Sequence, residues 1–110
     1  MKLPDLPFSP VFWEGLPAIE HPGAEGTSFW RTYEGNGLRL RMVSYLAGFR
    51  SDHWCARGHV LFVLRGAITL RLKDGRVHEL PAGTSFAVGD DEANPHLAES
   101  ARGADVFIVD

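Results

Sequence analysis

Residues 51–66 read SDHWCARGHVLFVLRG, and the fold turns on this stretch. It carries three side chains able to bind a metal: His53, Cys55 and His59, at offsets i, i+2 and i+6. Side chains alternate faces along an extended strand, so the spacing predicts all three on one side. Leu61 and Val63 continue that side, which makes it the inside of a small β-barrel. A later histidine, His96, stands ready to complete the set from another strand.

Outward from this stretch, the chain is a run of short strand signals with glycine and proline punctuation. Residues 29–33 form a weak strand closed by Gly35-Asn36-Gly37. Residues 38–46 alternate, with Leu38, Leu40 and Met42 on one face and Arg39, Arg41 and Val43 on the other. Strands are predicted at 52–55 and 59–64 on either side of Arg57-Gly58, and at 67–73 with Ile68, Leu70 and Leu72 inward. Asp74-Gly75 is a two-residue hairpin signal, since both positions tolerate positive φ. Strands at 76–80, 84–88 and 105–109 follow, with an acidic loop, Gly89-Asp90-Asp91-Glu92, before Pro95. No helical period persists beyond a turn or two. The pattern is all-β, a sandwich or barrel.

Residues 1–28 differ in character. Prolines at 4, 7, 10, 17 and 22 block helix and central strand alike, while Phe8, Phe12 and Trp13 favour burial. The reading is an irregular arm over 1–28 laid on a barrel of 29–110, or on a partner subunit. That apolar arm, with barrel edge strands to cover, predicts a homodimer.

Composition narrows the class. Hydrophobic residues make up 45% of the chain and charged ones 23%, a globular balance for one domain. A net charge of -3 with scattered Lys and Arg argues against a nucleic-acid partner. No stretch reaches the roughly 18 apolar residues of a membrane span. The N-terminal MKLPDLPFSP lacks the apolar run of a signal peptide, and a single cysteine excludes an internal disulfide framework. A cytoplasmic protein is the expectation.

The chain resembles the cupin superfamily over residues 38–110. The first cupin motif, G-x5-H-x-H-x3,4-E-x6-G, is similar to Gly48, His53, Cys55, His59 and Gly66. The first gap is one residue short, Cys55 stands at the second histidine, His59 at the glutamate, and the spacing to Gly66 is kept. The second motif, G-x5-P-x-G-x2-H-x3-N, resembles the stretch from Gly83. There Gly89 replaces the proline, Asp91 the glycine and Ser100 the asparagine, and His96 fits with a loop two residues longer. Asp52-His53-Trp54-Cys55 also resembles a group of small stand-alone cupins named for a DHCW motif. The resemblance implies a jelly-roll barrel, also called a double-stranded β-helix, of RmlC-like type. It also implies a metal held by His53, Cys55, His59 and His96.

Three imidazoles and a thiolate suit Zn, Fe, Ni, Co or Cu better than Mg or Ca. A closed tetrahedral zinc would be structural, whereas six-coordinate iron would leave positions for small-molecule chemistry. Asp52 is a candidate partner for a ligating histidine. Trp30, Tyr45, Trp54 and Phe86 are candidate wall residues of a small-molecule pocket. Three functions stay open. The first is a metal-binding cupin acting on a small molecule, a dioxygenase or isomerase among the possibilities. The second is a non-catalytic binding or sensing module with structural zinc or no metal, and the third a thiol redox protein using Cys55.

Overall fold

The computed structural model describes residues 3–90 and 93–110, so Asp91 and Glu92 of the acidic loop lie outside the described residues. Nine strands account for nearly all of its regular structure: β1 (Ile19–Pro22), β2 (Thr27–Gly35), β3 (Leu38–Tyr45), β4 (Phe49–Arg50), β5 (His59–Leu72), β6 (Val77–Pro81), β7 (Ser85–Val88), β8 (His96–Ser100) and β9 (Ala104–Val109). Every pairing between them is antiparallel. The order is β1-β2-β3-β9-β5-β8-β4, with β6 and β7 also on β5. Among the described residues, no helix is long and apolar enough to cross a membrane.

β5 is the axis of this arrangement. Its first half pairs with β7 and β9, and its second half with β6 and β8. Between the halves the register with β9 slips at Val63/Arg65, and Gly66 follows at φ 74°. A bulge of this kind bends a strand and raises its local twist. The sheet therefore curls into a half-barrel, and the expected turn at Gly66 is a corner within one strand. Leu61, Val63 and Ile68 face inward from the two sides of that corner and join Val43, Val106 and Ile108 in one core. The inward reading of Leu61 and Val63 is thus correct. On the outer face, Val60, Phe62 and Leu64 remain exposed.

The hairpins follow the turn chemistry. Asn36 and Gly37 both have positive φ, 52° and 85°, and connect Gly35 to its register partner Leu38. Asp74 supports the β5–β6 turn by accepting from the Arg76 backbone N–H. β8, the strand on which His96 was expected, carries little strand signal of its own: HLAES shows no β-branched run and follows Pro95, yet four of its five residues are buried. On β3 the face bearing Arg41 and Val43 turns inward, so a guanidinium enters the barrel where alternation of Leu and Met pointed the other way.

The proline-rich stretch contains order. Ile19–Pro22 forms the edge strand β1 on β2, with Pro22 at its end, where proline is tolerated. The Arg31 guanidinium donates to the carbonyls of Trp13 and Leu16 at 2.7 and 2.8 Å, and Trp13 meets Phe107 edge-on.

At Gly66 the left-handed backbone and the Gly103 carbonyl oxygen, directly where a Cβ would project, both exclude a side chain. Gly75 also has positive φ, but its Cβ position is open. Gly66→Ala is expected to destabilise the fold by about 2 kcal/mol or more, and Gly75→Ala by about 1. Urea unfolding of the two variants measures the difference.

Candidate metal centre

Three of the four side chains singled out in the sequence converge. The ligand atoms of Cys55, His59 and His96 all lie within 4.8 Å of one another. His59 opens β5 and His96 opens β8. Cys55 sits in the preceding loop and is locked to His96 by a reciprocal backbone pair: Cys55 N–H to His96 O at 2.7 Å and His96 N–H to Cys55 O at 2.9 Å. The loop is pinned again where the Gly58 N–H donates to Asp90 Oδ1 at 2.6 Å.

His53 is not in this group. Residues 52–55 do not form the expected strand: the backbone bends at Asp52 and His53, so alternation no longer governs which way the side chains point. The His53 side chain is 71% exposed, and its Nδ1 bonds Asp52 Oδ1 at 2.7 Å. Asp52 is accordingly the partner of a surface histidine. His78 is also exposed.

The hydrogen bonds of the two buried imidazoles fix their tautomers. His96 Nδ1 lies 2.9 Å from the Asn94 carbonyl oxygen, which only accepts, so Nδ1 carries the proton. Its Nε2 is buried and without a hydrogen-bond partner. His59 Nδ1 donates to Asp110 Oδ2 at 3.0 Å, and its Nε2 faces Cys55 Sγ at 3.4 Å. A carboxylate behind a histidine, turning Nε2 toward a common point, is the usual support for a metal-ligating imidazole.

Asp110 is the hub of this support, and no local pattern around it marks that role. Its side chain is 1% exposed, and it accepts from Arg39 at 2.9 and 3.0 Å and from Arg41 at 2.9 Å. Burial alone would raise the Asp110 pKa, but His59, Arg39 and Arg41 hold it well below the usual carboxylate range. For His59, burial works against the charged form, yet Asp110 and Cys55 together raise its pKa above the ordinary value. The Cys55 thiol is lowered to about 5, first by the hydrogen bond with His59 and next by nearby His96, against the opposing effect of burial. These contacts favour the thiolate of Cys55 and the protonated form of His59.

This cluster lies in a cavity of about 440 Å³. Trp30, Tyr45, Trp54 and Phe86 all line it, as their sequence positions suggested. The Phe86 ring packs edge-on against His96 at 5.9 Å. Burial pushes the Tyr45 hydroxyl up to about 12, so it remains a proton donor at neutral pH.

No family model matches the chain, and no curated protein does. Among solved structures, the ectoine synthase from P. lautus superposes with a TM-score of 0.75 at 14% identity, covering 93% of this chain and 76% of that one. An RmlC-like cupin from Shewanella frigidimarina NCIMB 400 gives 0.71 at 20% identity, covering 90% and 86%. The fold is that of a cupin. Fe(II)-HppE with an alternative substrate gives 0.72 at 20% identity, covering 96% of this chain and 62% of that one. At these identities the likeness is one of fold alone.

The lowered thiol pKa sets a direction for reactivity. In metal-free protein, alkylation of Cys55 by iodoacetamide is expected to rise with a midpoint at about pH 5 instead of 9.0. His59→Gln removes the leading cause and is expected to move the midpoint upward. Mass spectrometry of the alkylated protein over pH 4–9 reads both.

Proposed function

We propose that the protein is a metal-binding cupin that acts on a small molecule in the barrel, with Cys55, His59 and His96 as the ligands of a divalent transition metal. The observation that supports this most directly is His96 Nε2, a buried nitrogen without a hydrogen-bond partner, in a residue grouped with the Cys55 sulfur and a second imidazole. Leaving a buried polar atom unsatisfied costs about 1–3 kcal/mol, and a metal would remove that cost. One sulfur and two nitrogens suit Zn, Fe, Ni, Co or Cu. His53 has no part in this set.

The three-ligand set favours an open site over a closed structural one, because the cluster holds three ligands among the described residues and the cavity adjoins it. A bound metal would supply Lewis-acid or, for iron or copper, redox chemistry at that opening. The chain's own residues do the rest. Asp110 and the Asn94 carbonyl hold the imidazoles in the ligating tautomer, Arg39 and Arg41 hold Asp110, and the aromatic walls exclude water. Turnover of a small molecule, by oxygenation or isomerisation, is the activity class that such a site serves. A thiol redox role for Cys55 is the second reading, favoured by its lowered pKa and its contact with His59. Either role suits a reducing, cytoplasmic setting, which protects a reactive thiolate.

Elemental analysis decides between the readings. Protein produced with metal supplementation is expected to hold about one transition-metal ion per chain, and Cys55→Ser and His96→Gln are each expected to lose most of it. His53→Gln is expected to retain it. A cobalt-loaded sample should show a sulfur-to-metal charge-transfer band that disappears in Cys55→Ser. Absence of metal under all these conditions would leave the thiol reading.

We also propose a homodimer through the outer face of β5, where Val60, Phe62 and Leu64 form an exposed apolar strip beside the short edge strand β7. Light scattering is expected to give twice 12.1 kDa for the natural chain and 12.1 kDa for Phe62→Glu.

A further inference from the structure

The wall of the cavity formed by β3 holds hydrogen-bond donors that neither the fold nor the candidate ligands use. The Arg41 side chain is 6% exposed, and its guanidinium lies 4.5 Å over the Trp30 ring. One terminal nitrogen bonds Asp110, but the buried Nε–H has no partner. A charged donor left unpaired in a protein interior is costly unless something completes it. Four residues along the same face, Tyr45 lines the same cavity, and its hydroxyl makes no hydrogen bond among the described residues. At the mouth Arg57 is half-exposed, with its Nε 3.8 Å from Asp110 Oδ2. Arg39, Arg41 and Arg57 thus surround a single side-chain carboxylate, and the cavity wall keeps an excess of positive charge.

The form of that excess identifies its complement. Asp110 already offsets part of the charge, which leaves room for a monoanion more readily than for a phosphate dianion. The donors on this wall are the guanidinium of Arg41 and the phenolic O–H of Tyr45, a cation beside a neutral donor, and a carboxylate suits both. The cavity, about 440 Å³, is of small-molecule size. We propose that the ligand of this cavity is a small organic acid whose carboxylate is received by the Arg41 guanidinium and Tyr45 O–H, with Arg57 drawing it in at the mouth. The inference rests on the reading of the cavity as a small-molecule site, but none of its donors is among the metal-ligand candidates.

Calorimetry tests it with matched probes: propionate and succinate against propionamide and succinamide, with inorganic phosphate as a third arm. The titrations use protein as purified and chelator-treated protein. The acids are expected to bind at least about tenfold more tightly than their amides and than phosphate. Because Arg41 also holds Asp110, its replacement disturbs the fold, and Tyr45→Phe and Arg57→Gln are the decisive variants. Each is expected to weaken acid binding about five- to tenfold and amide binding by a smaller factor, so that the preference for acids narrows. Equal binding of acids and amides in both preparations overturns the proposal, as does phosphate binding as tight as carboxylate, or acid binding untouched by Tyr45→Phe. Cys55→Ser separates the two readings: it is expected to lose metal and keep the preference for acids.

Discussion

One strand belongs to two walls of the barrel, and the candidate centre exists because that strand bends. β5 is fourteen residues long, with His59 at its start and Leu72, the register partner of His96, at its end. Fully extended, such a strand would hold its two ends about 40 Å apart. The two imidazole rings are instead 5.1 Å apart, centroid to centroid. The bulge at Val63/Arg65 and the left-handed Gly66 supply the bend, and the buried Leu61, Val63 and Ile68 hold it by packing on both sides of the corner. Core and centre are thus consequences of the same curvature.

Much of this was legible in the residues. Gly-Asn-Gly and Asp-Gly mark hairpins whatever surrounds them, and alternation along 61–72 tells inside from outside because burial on one face is what alternation records. His59, Cys55 and His96 were recognisable by residue type and by the resemblance to the cupin motifs. His53 stands apart from the other three because the same-face argument presumes an extended backbone, and Asp52 and His53 lie in a bend at the edge of the cavity. Arg41 and Asp110 were invisible for a different reason. A charged residue opposite an apolar one reads as solvent-facing, and only the mutual neutralisation of Asp110 by Arg39, Arg41 and His59 allows these groups inside. Long-range pairing of that kind, across about seventy positions between β3 and Asp110, leaves no mark on local periodicity.

Asp110 therefore joins two tasks. Toward β3 it fastens the end of the chain's last strand by pairing with two guanidinium groups. Toward β5 it orients the imidazole of His59 and favours its protonated form. A buried carboxylate with so many donors is hard to replace by any other side chain, since amide, alcohol or alkyl would each strand at least one charge. The loop that carries Cys55 is held by backbone pairs to His96 and by the Asp90 carboxylate that accepts from Gly58 N–H. The sulfur is positioned by main-chain geometry, and its environment is then set by the two imidazoles.

The backbone ladder between Cys55 and His96 has a mechanical implication. It ties the loop before β5 to the strand that pairs with the far end of β5, so the barrel is fastened across its own seam. An ion gripping Sγ and both Nε2 atoms would act as a rivet through that seam. Prying the two walls apart and releasing the ion would then be thermodynamically linked events, each made harder by whatever opposes the other.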